Sequence, residues 1–232
     1  MKFKLVLLSL FAMLFFNACA PQNIPVAKLK SIDSIGVISL HGNEMISLER
    51  GLTIFGNEDN ITDISAWNID EYIQKVMLNM LSTKYKVKNI KLSSSQIKEI
   101  NGEYEKRLQV LKDILLRNRL DTLILFEKGM IVREHYDTHS GIGLIKAKAL
   151  GMEATHIKLN MDLLSYEIVE GKIEELHFND IKTFKEIDNS LWMNTTKPLS
   201  KESSKIIEPI VKNLLKDSLL KEFITIGYLN EK

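Results

Sequence analysis

The stretch "RNRLDTLILFEKG", residues 117–129, changes its hydrophobic rhythm within a few residues. Up to Arg119 the apolar residues Tyr104, Leu108, Leu111 and Leu115 recur every three or four positions, as on one face of a helix. From Asp121 to Glu127 the chain reads "DTLILFE", a short unbroken apolar run flanked by charge. Such a run suits a strand buried on both faces. A helix delivered directly into a buried strand is the signature of an α/β layer, with helices packed over a sheet.

Working toward the amino terminus, "YKVKNIKL" at 85–92 reads as a strand, and Ser93 to Ser95 mark a turn or the start of a short helix. Before it, Ile69, Ile73, Val76/Met77 and Met80/Leu81 form one helical apolar face, with Met77 and Met80 as core residues. Asn68 followed by Glu71 has the spacing of a capping box. "IDSIGVISL" at 32–40 reads as the opening strand, His41-Gly42-Asn43 as a turn, and "EMISLERGLTIF" as extended chain split near Gly51. Residues 56–62 read as a polar loop.

Working toward the carboxyl terminus, residues 130–150 read as irregular, with a loop at "YDTHSGIG". Ile157, Leu159, Met161 and Leu163 then alternate with polar residues, the period-two pattern of a strand with one buried face. Glu170-Gly171 turns the chain into a hairpin partner, "KIEELHF", whose alternation slips at Glu174-Glu175 and predicts a bulge. Residues 200–223 read as a helix in which Pro209 either occupies the first position or kinks a longer segment. The expected fold is α/β (α+β): a mixed sheet covered by amphipathic helices, as a single domain over residues 32–229.

The first 31 residues have a different character. Lys2 and Lys4 precede an apolar run, residues 5–16, broken only by Ser9. This is the length of a signal-peptide core and short of the ~20 residues a spanning helix needs. The chain's one cysteine follows at once, in "FFNACAPQ". Phe16-Asn17-Ala18-Cys19 resembles a bacterial lipoprotein signal, with Ala18 and Cys19 matching and Asn17 departing from the small residue usual there. The resemblance implies a signal peptide over 1–18 and a Cys19 that carries diacylglycerol on sulfur and a fatty acyl group such as palmitate on nitrogen. It further implies that the protein is exported, and with Ala20 rather than Asp after the cysteine, that it sits in the outer membrane facing the periplasm of a Gram-negative cell. The competing reading is plain secretion, with cleavage after Ala18-Cys19-Ala20. Residues 19–31 read as the lipidated cysteine and a short tether, whose last twelve residues reach about 37 Å as polyproline II.

The order β-β-α-β-α-β followed by hairpins is similar to a family of envelope domains. It includes the curli-secretion lipoprotein, the lipoprotein activators of penicillin-binding proteins and the amino-terminal domain of the Tol translocation protein. "SIGVISL", "RNRLDTLILFEKG" and "NMDLLSYEIVEGKIEE" carry the resemblance, the last with Ile168-Val169-Glu170-Gly171-Lys172 in place of a D-x-x-T-G-E turn. It implies a non-enzymatic lipoprotein that binds another envelope protein or copies of itself. A secretion-pore subunit is an alternative, although the mixed charges of 130–150 give no lipid-facing alternation.

The chemistry visible in the sequence is sparse. One cysteine excludes an internal disulfide. Of 31 basic residues, removal of Lys2 and Lys4 leaves 29 against 30 acidic ones, so no net field recruits nucleic acid. No phosphate-cradling glycine motif marks a nucleotide site, and no cofactor is expected. In "EHYDTHSG", His135, Asp137 and His139 have the alternation that converges ligands on a cation in an extended segment. They also fit a polar loop, and His135 and His139 are read as surface residues. Ser140 lies in "THSGIG", where Thr138 breaks the nucleophile-elbow pattern of an envelope hydrolase. Lys146 and Lys148 read as a solvated cluster, and Trp67 and Trp192 as packing residues or interface anchors.

Overall fold

The computed structural model describes residues 24–51, 58–129, 139–192 and 199–230. Cys19, His135 and Asp137 lie outside them. The described chain forms an eight-stranded mixed sheet with five helices, the expected class. In chain order the elements are α1 (Val26–Ser31), β1 (Ser34–Leu40), β2 (Glu44–Arg50), β3 (Glu58–Asp63), α2 (Ile69–Leu81), β4 (Lys86–Asn89), α3 (Ser94–Ile100), α4 (Tyr104–Asn118), β5 (Thr122–Lys128), β6 (Gly141–Ala149), β7 (Met152–Val169), β8 (Lys172–Ile187) and α5 (Lys201–Thr225).

The pairing shows how eight strands make fewer lanes. β7 pairs antiparallel with β5 up to Lys128↔Met161, and with β6 from Gly141↔Asn160 onward. β5 and β6 are therefore two halves of one lane along the same edge of β7, whose other edge holds β8. β1 runs parallel to β5 and β2 parallel to β6, so β1 and β2 form the neighbouring lane. Short β4 flanks β1 and β3 flanks β2. The sheet thus has a waist, where β1 hands over to β2 and β5 to β6.

Helices cover both faces because the central strands alternate apolar residues to both sides. Ile35 and Val37 of β1, with Ile124 and Phe126 of β5, pack with α2 and α5. Ile38, Leu123 and Leu125 pack on the opposite face with Val110, Leu111, Ile114 and Leu115 of α4. Gly36 is required on that face, since a Cβ there would stand 2.5 Å from Leu120. Trp67 is core and donates its indole N–H to Ser204 on α5 at 2.8 Å, while Trp192 is half-buried against the same core.

Several expectations are corrected. Residues 58–63 are the edge strand β3, whose polar composition reflects pairing with β2 alone. Residues 141–149 are the regular strand β6. Asn68 sits at φ 50 and makes no side-chain cap, so the box expected with Glu71 is absent; the capping box is at Ser93 and Gln96 of α3. Pro209 lies inside the 25-residue α5, capped by Ser200. The expected tether is shorter than 19–31. Val26–Ser31 is helical, with Leu29 buried and Lys28 paired with Glu167 of β7. The bulge lies at Leu176, between Tyr166↔Glu175 and Ser165↔His177. Lys146 and Lys148 are ion-paired rather than simply solvated, Lys146 with Glu153 at 2.7 Å and Lys148 with Glu49.

Candidate functional site

The waist gathers the polar residues that the sheet cannot place elsewhere. Between Leu40 and Met45 the chain has four residues, 41–44, where the adjacent lane is crossed by Lys128 and Gly141 alone. The surplus makes the strand bulge and leaves amides without ladder partners, which must find other acceptors. Asp70, in the first turn of α2, supplies them. Its Oδ1 accepts the Ser39 hydroxyl at 2.6 Å and the His41 amide at 2.7 Å, and its Oδ2 accepts the Gly42 amide at 3.0 Å. Gly42 has φ 78, a conformation glycine adopts without steric cost.

The His41 ring is fully buried. Its Nδ1 is 2.8 Å from the Gly42 carbonyl, which can only accept, so Nδ1 carries the proton and Nε2 is a bare acceptor. Nε2 has no hydrogen-bond donor among the described residues. Burial holds His41 below the ordinary histidine value of 6.5, and Lys128 adds to this; the Gly42 carbonyl, Asp70 and Glu44 oppose it. Gly141 makes room for the ring, since a Cβ there would lie 3.0 Å from Nε2. Two residues along β6, a Cβ at Gly143 would stand 2.7 Å from the His139 ring. His41 and His139, far apart in sequence, thus pack over neighbouring positions of one strand.

His139 is buried at 5% exposure, which corrects the surface reading. The Asn160 side-chain amide donates to its carbonyl at 2.7 Å. The Ser140 hydroxyl donates to the Gly129 carbonyl at 2.6 Å, and the Gly129 amide to the Asn160 carbonyl at 2.9 Å. These bonds close the ends of β5 and β6 against β7, so the Ser140 hydroxyl stitches the sheet. Of the three candidate ligands only His139 falls within the described residues. Among those residues no three His, Cys, Asp or Glu side chains converge as metal ligands. Lys128 closes the waist with an ion pair to Glu44 at 2.9 Å.

Beside the waist, past the carboxyl ends of β1 and β4, lies a groove of about 770 Å³ between α2 and α3. Open α/β sheets present ligand crevices at such strand ends. Ile38, Leu78, Ile90 and Ile97 line its floor and walls, and Glu71, Gln74, Lys75 and Lys91 its rim. Asp70 also lines it, with its oxygens already committed to Ser39, His41 and Gly42. The remaining rim charges are of both signs.

His177 was missed as a paired residue. It is buried on β8, 3.5 Å from Glu222 of α5, which is buried as well. A polar residue on the inward side of an alternating strand was the available signal.

No family model matches the chain. No curated protein matches it. Among solved structures, a hypothetical protein, CT253, from Chlamydia trachomatis is similar with a TM-score of 0.42 and 8% identity, over 84% of this chain and 98% of that one. The lipoprotein GNA1162 from Neisseria meningitidis is similar with a TM-score of 0.32 and 10% identity, over 78% of this chain and 97% of that one.

Proposed function

We propose that this chain is a non-enzymatic envelope lipoprotein, anchored through Cys19 to the periplasmic side of the outer membrane, that works as a protein-binding or assembly module. The lipoprotein part is supported by the order of charge, apolar run and cysteine in residues 1–19. No helix among the described residues is long and apolar enough to cross a membrane. The stretches "SIGVISL", "RNRLDTLILFEKG" and "NMDLLSYEIVEGKIEE" support a resemblance to the curli, penicillin-binding-protein activator and Tol domains.

The observation that carries the binding role is the tip of the β6–β7 hairpin. Leu150 and Gly151 have φ 51 and φ 80, so both central residues of the two-residue turn are left-handed. Turns of this kind favour Asn-Gly or Asp-Gly. Here a leucine occupies the first place, 83% exposed, beside Met152 at 70%. An apolar side chain held in water on an unfavourable backbone contributes nothing to folding, and it suits an anchor for a pocket on another protein. Glu167, the partner of Lys28 on α1, lies fifteen residues farther along β7, about 50 Å at strand rise. The tip is therefore remote from the membrane-proximal end.

A photoreactive residue at position 150 in intact cells tests the reading. The expected product is a discrete adduct with an envelope protein, lost on Met152→Lys while the chain stays in the membrane fraction. Adducts with phospholipid alone, or none, overturn it.

A further inference from the structure

β8 ends the sheet, and its geometry fits a second copy of itself. The strand has 16 residues and, among the described residues, pairs only with β7. Among the described residues, no backbone hydrogen bond reaches it from the other side. A long edge of this kind is a template for another strand, and monomeric proteins blunt it with charge, bulges or a covering element. β8 has its bulge at Leu176, near one end. Past the bulge it exposes Phe178 at 43% and Phe184 at 66%. Both point to the α4 face, because Phe178 pairs with Leu164 and Phe184 with Lys158. Between them on that face stand Asp180 and Lys182, 2.7 Å apart.

We infer that two copies join edge to edge through antiparallel β8 strands, with the two-fold axis at Ile181. A two-fold relating antiparallel strands is perpendicular to the sheet, so residues of like parity face each other. With the axis at Ile181, Phe178 lies opposite the partner's Phe184, and Asp180 opposite the partner's Lys182. Each pair occurs twice. Aromatic and opposite-charge pairs are the favourable cross-strand combinations. A slip of one residue in the axis position puts Asp180 opposite Asp180 of the partner subunit, or Lys182 opposite Lys182 of the partner subunit. Either sets like charges face to face at the axis. An axis at Phe178 draws the bulge into the pairing. The sequence on this face is self-complementary in the register centred on Ile181.

The same axis has a consequence for anchoring. Leu29 of α1 packs into the core on the α2 and α5 side, and Lys28 pairs with Glu167. A rotation about an axis perpendicular to the sheet keeps both copies of α1 on that side. Both amino termini then emerge from one face of the joined sheet, as two chains inserted in one membrane require.

The inference gives the binding-module reading a second copy as partner, at a surface separate from the hairpin tip. The test is sedimentation equilibrium of the full chain in detergent micelles, with circular dichroism to check folding. The wild-type chain is expected to be dimeric. Phe184→Glu and Asp180→Lys should each weaken the dimer by roughly tenfold or more, about 1.4 kcal/mol. Asp180→Lys with Lys182→Asp should restore it, because the exchanged charges again face each other. Met152→Lys should leave the dimer intact, so loss of a tip partner and loss of the dimer are read separately. A wild-type monomer at every concentration reached, a dimer indifferent to Asp180→Lys, or no rescue by the exchange overturns the inference.

Discussion

The Asp70 carboxylate and the His41 amide share a hydrogen bond of 2.7 Å that ties the start of α2 to the waist of the sheet. The same carboxylate accepts the Ser39 hydroxyl and the Gly42 amide. Asp70→Ala removes all three acceptor contacts and strands two amides at the handover from β1 to β2. Each unsatisfied buried donor costs about 1–3 kcal/mol. The expected loss is roughly 2–4 kcal/mol, partly offset by water, read as a lower urea midpoint with an unchanged slope. A loss below about 0.5 kcal/mol would show that the bulge finds other acceptors.

His41 should make stability pH-dependent. Burial holds the folded-state value below the unfolded 6.5, so the unfolded chain takes up the proton first. The stabilisation associated with neutral His41 is complete above pH 6.5 and is lost as pH falls from there toward the folded value. Glu44, Asp70 and Lys128 are the charges that act on the ring. Unfolding midpoints at pH 7.5 and pH 5.5 should differ in the wild type, and the difference should shrink in His41→Gln. An equal difference in both proteins would assign the dependence to other groups.

The long hairpin was legible because its physics is local. Ile157, Leu159, Met161 and Leu163 alternate inward, and Glu170-Gly171 turns with both φ values positive. The buried run at 121–127 was legible for the same reason, since a strand covered on both faces leaves no polar place in its middle. β3 was not, because an edge strand such as Glu58–Asp63 keeps its polar residues in water and has no apolar period. β6 begins Gly-Ile-Gly; Gly141 has φ 80 and faces the His41 ring, and Gly143 leaves room for the His139 ring, none of which a local pattern shows. The waist itself is a matter of register between lanes, which no local pattern encodes. The structural work of Asp70 was hidden likewise. Its position in a helix start explains an acidic residue well enough without the amides it accepts.

Leu150 is expected to trade stability against binding. Its φ of 51 suits Asn or Gly far better than a branched apolar residue. Leu150→Asn should therefore raise the thermal midpoint, by a gain on the order of 1 kcal/mol. The same change removes the exposed side chain that serves as an anchor, so capture of the envelope partner should fall. Higher stability with undiminished capture would separate the turn from the binding surface.

Cys19→Ser is expected to abolish lipid labelling and release the protein from the membrane fraction. Normal maturation and continued membrane association would overturn the lipoprotein reading.

An anchor at Cys19, as proposed, also limits which partners the domain can meet. Ile24 is buried and α1 is docked by Leu29 and Lys28, so a residue fixed to the domain lies five peptide steps after Cys19. Five steps span at most about 18 Å when fully extended. The domain itself extends about 50 Å along β7 from Glu167, beside α1, to the hairpin tip. The sum falls short of a partner in the inner membrane beyond the wall unless that partner projects outward. The expected partners are outer-membrane or periplasmic proteins, or sibling copies, and direct control of a wall synthase is not expected. Photocrosslinking from Tyr104 and Leu116, exposed on α4, checks this in intact cells. Adducts should carry outer-membrane or periplasmic proteins or a second copy of the chain. An inner-membrane synthase as the main adduct, together with loss of its activation when the lipoprotein is deleted, would show that the short tether does not confine the domain.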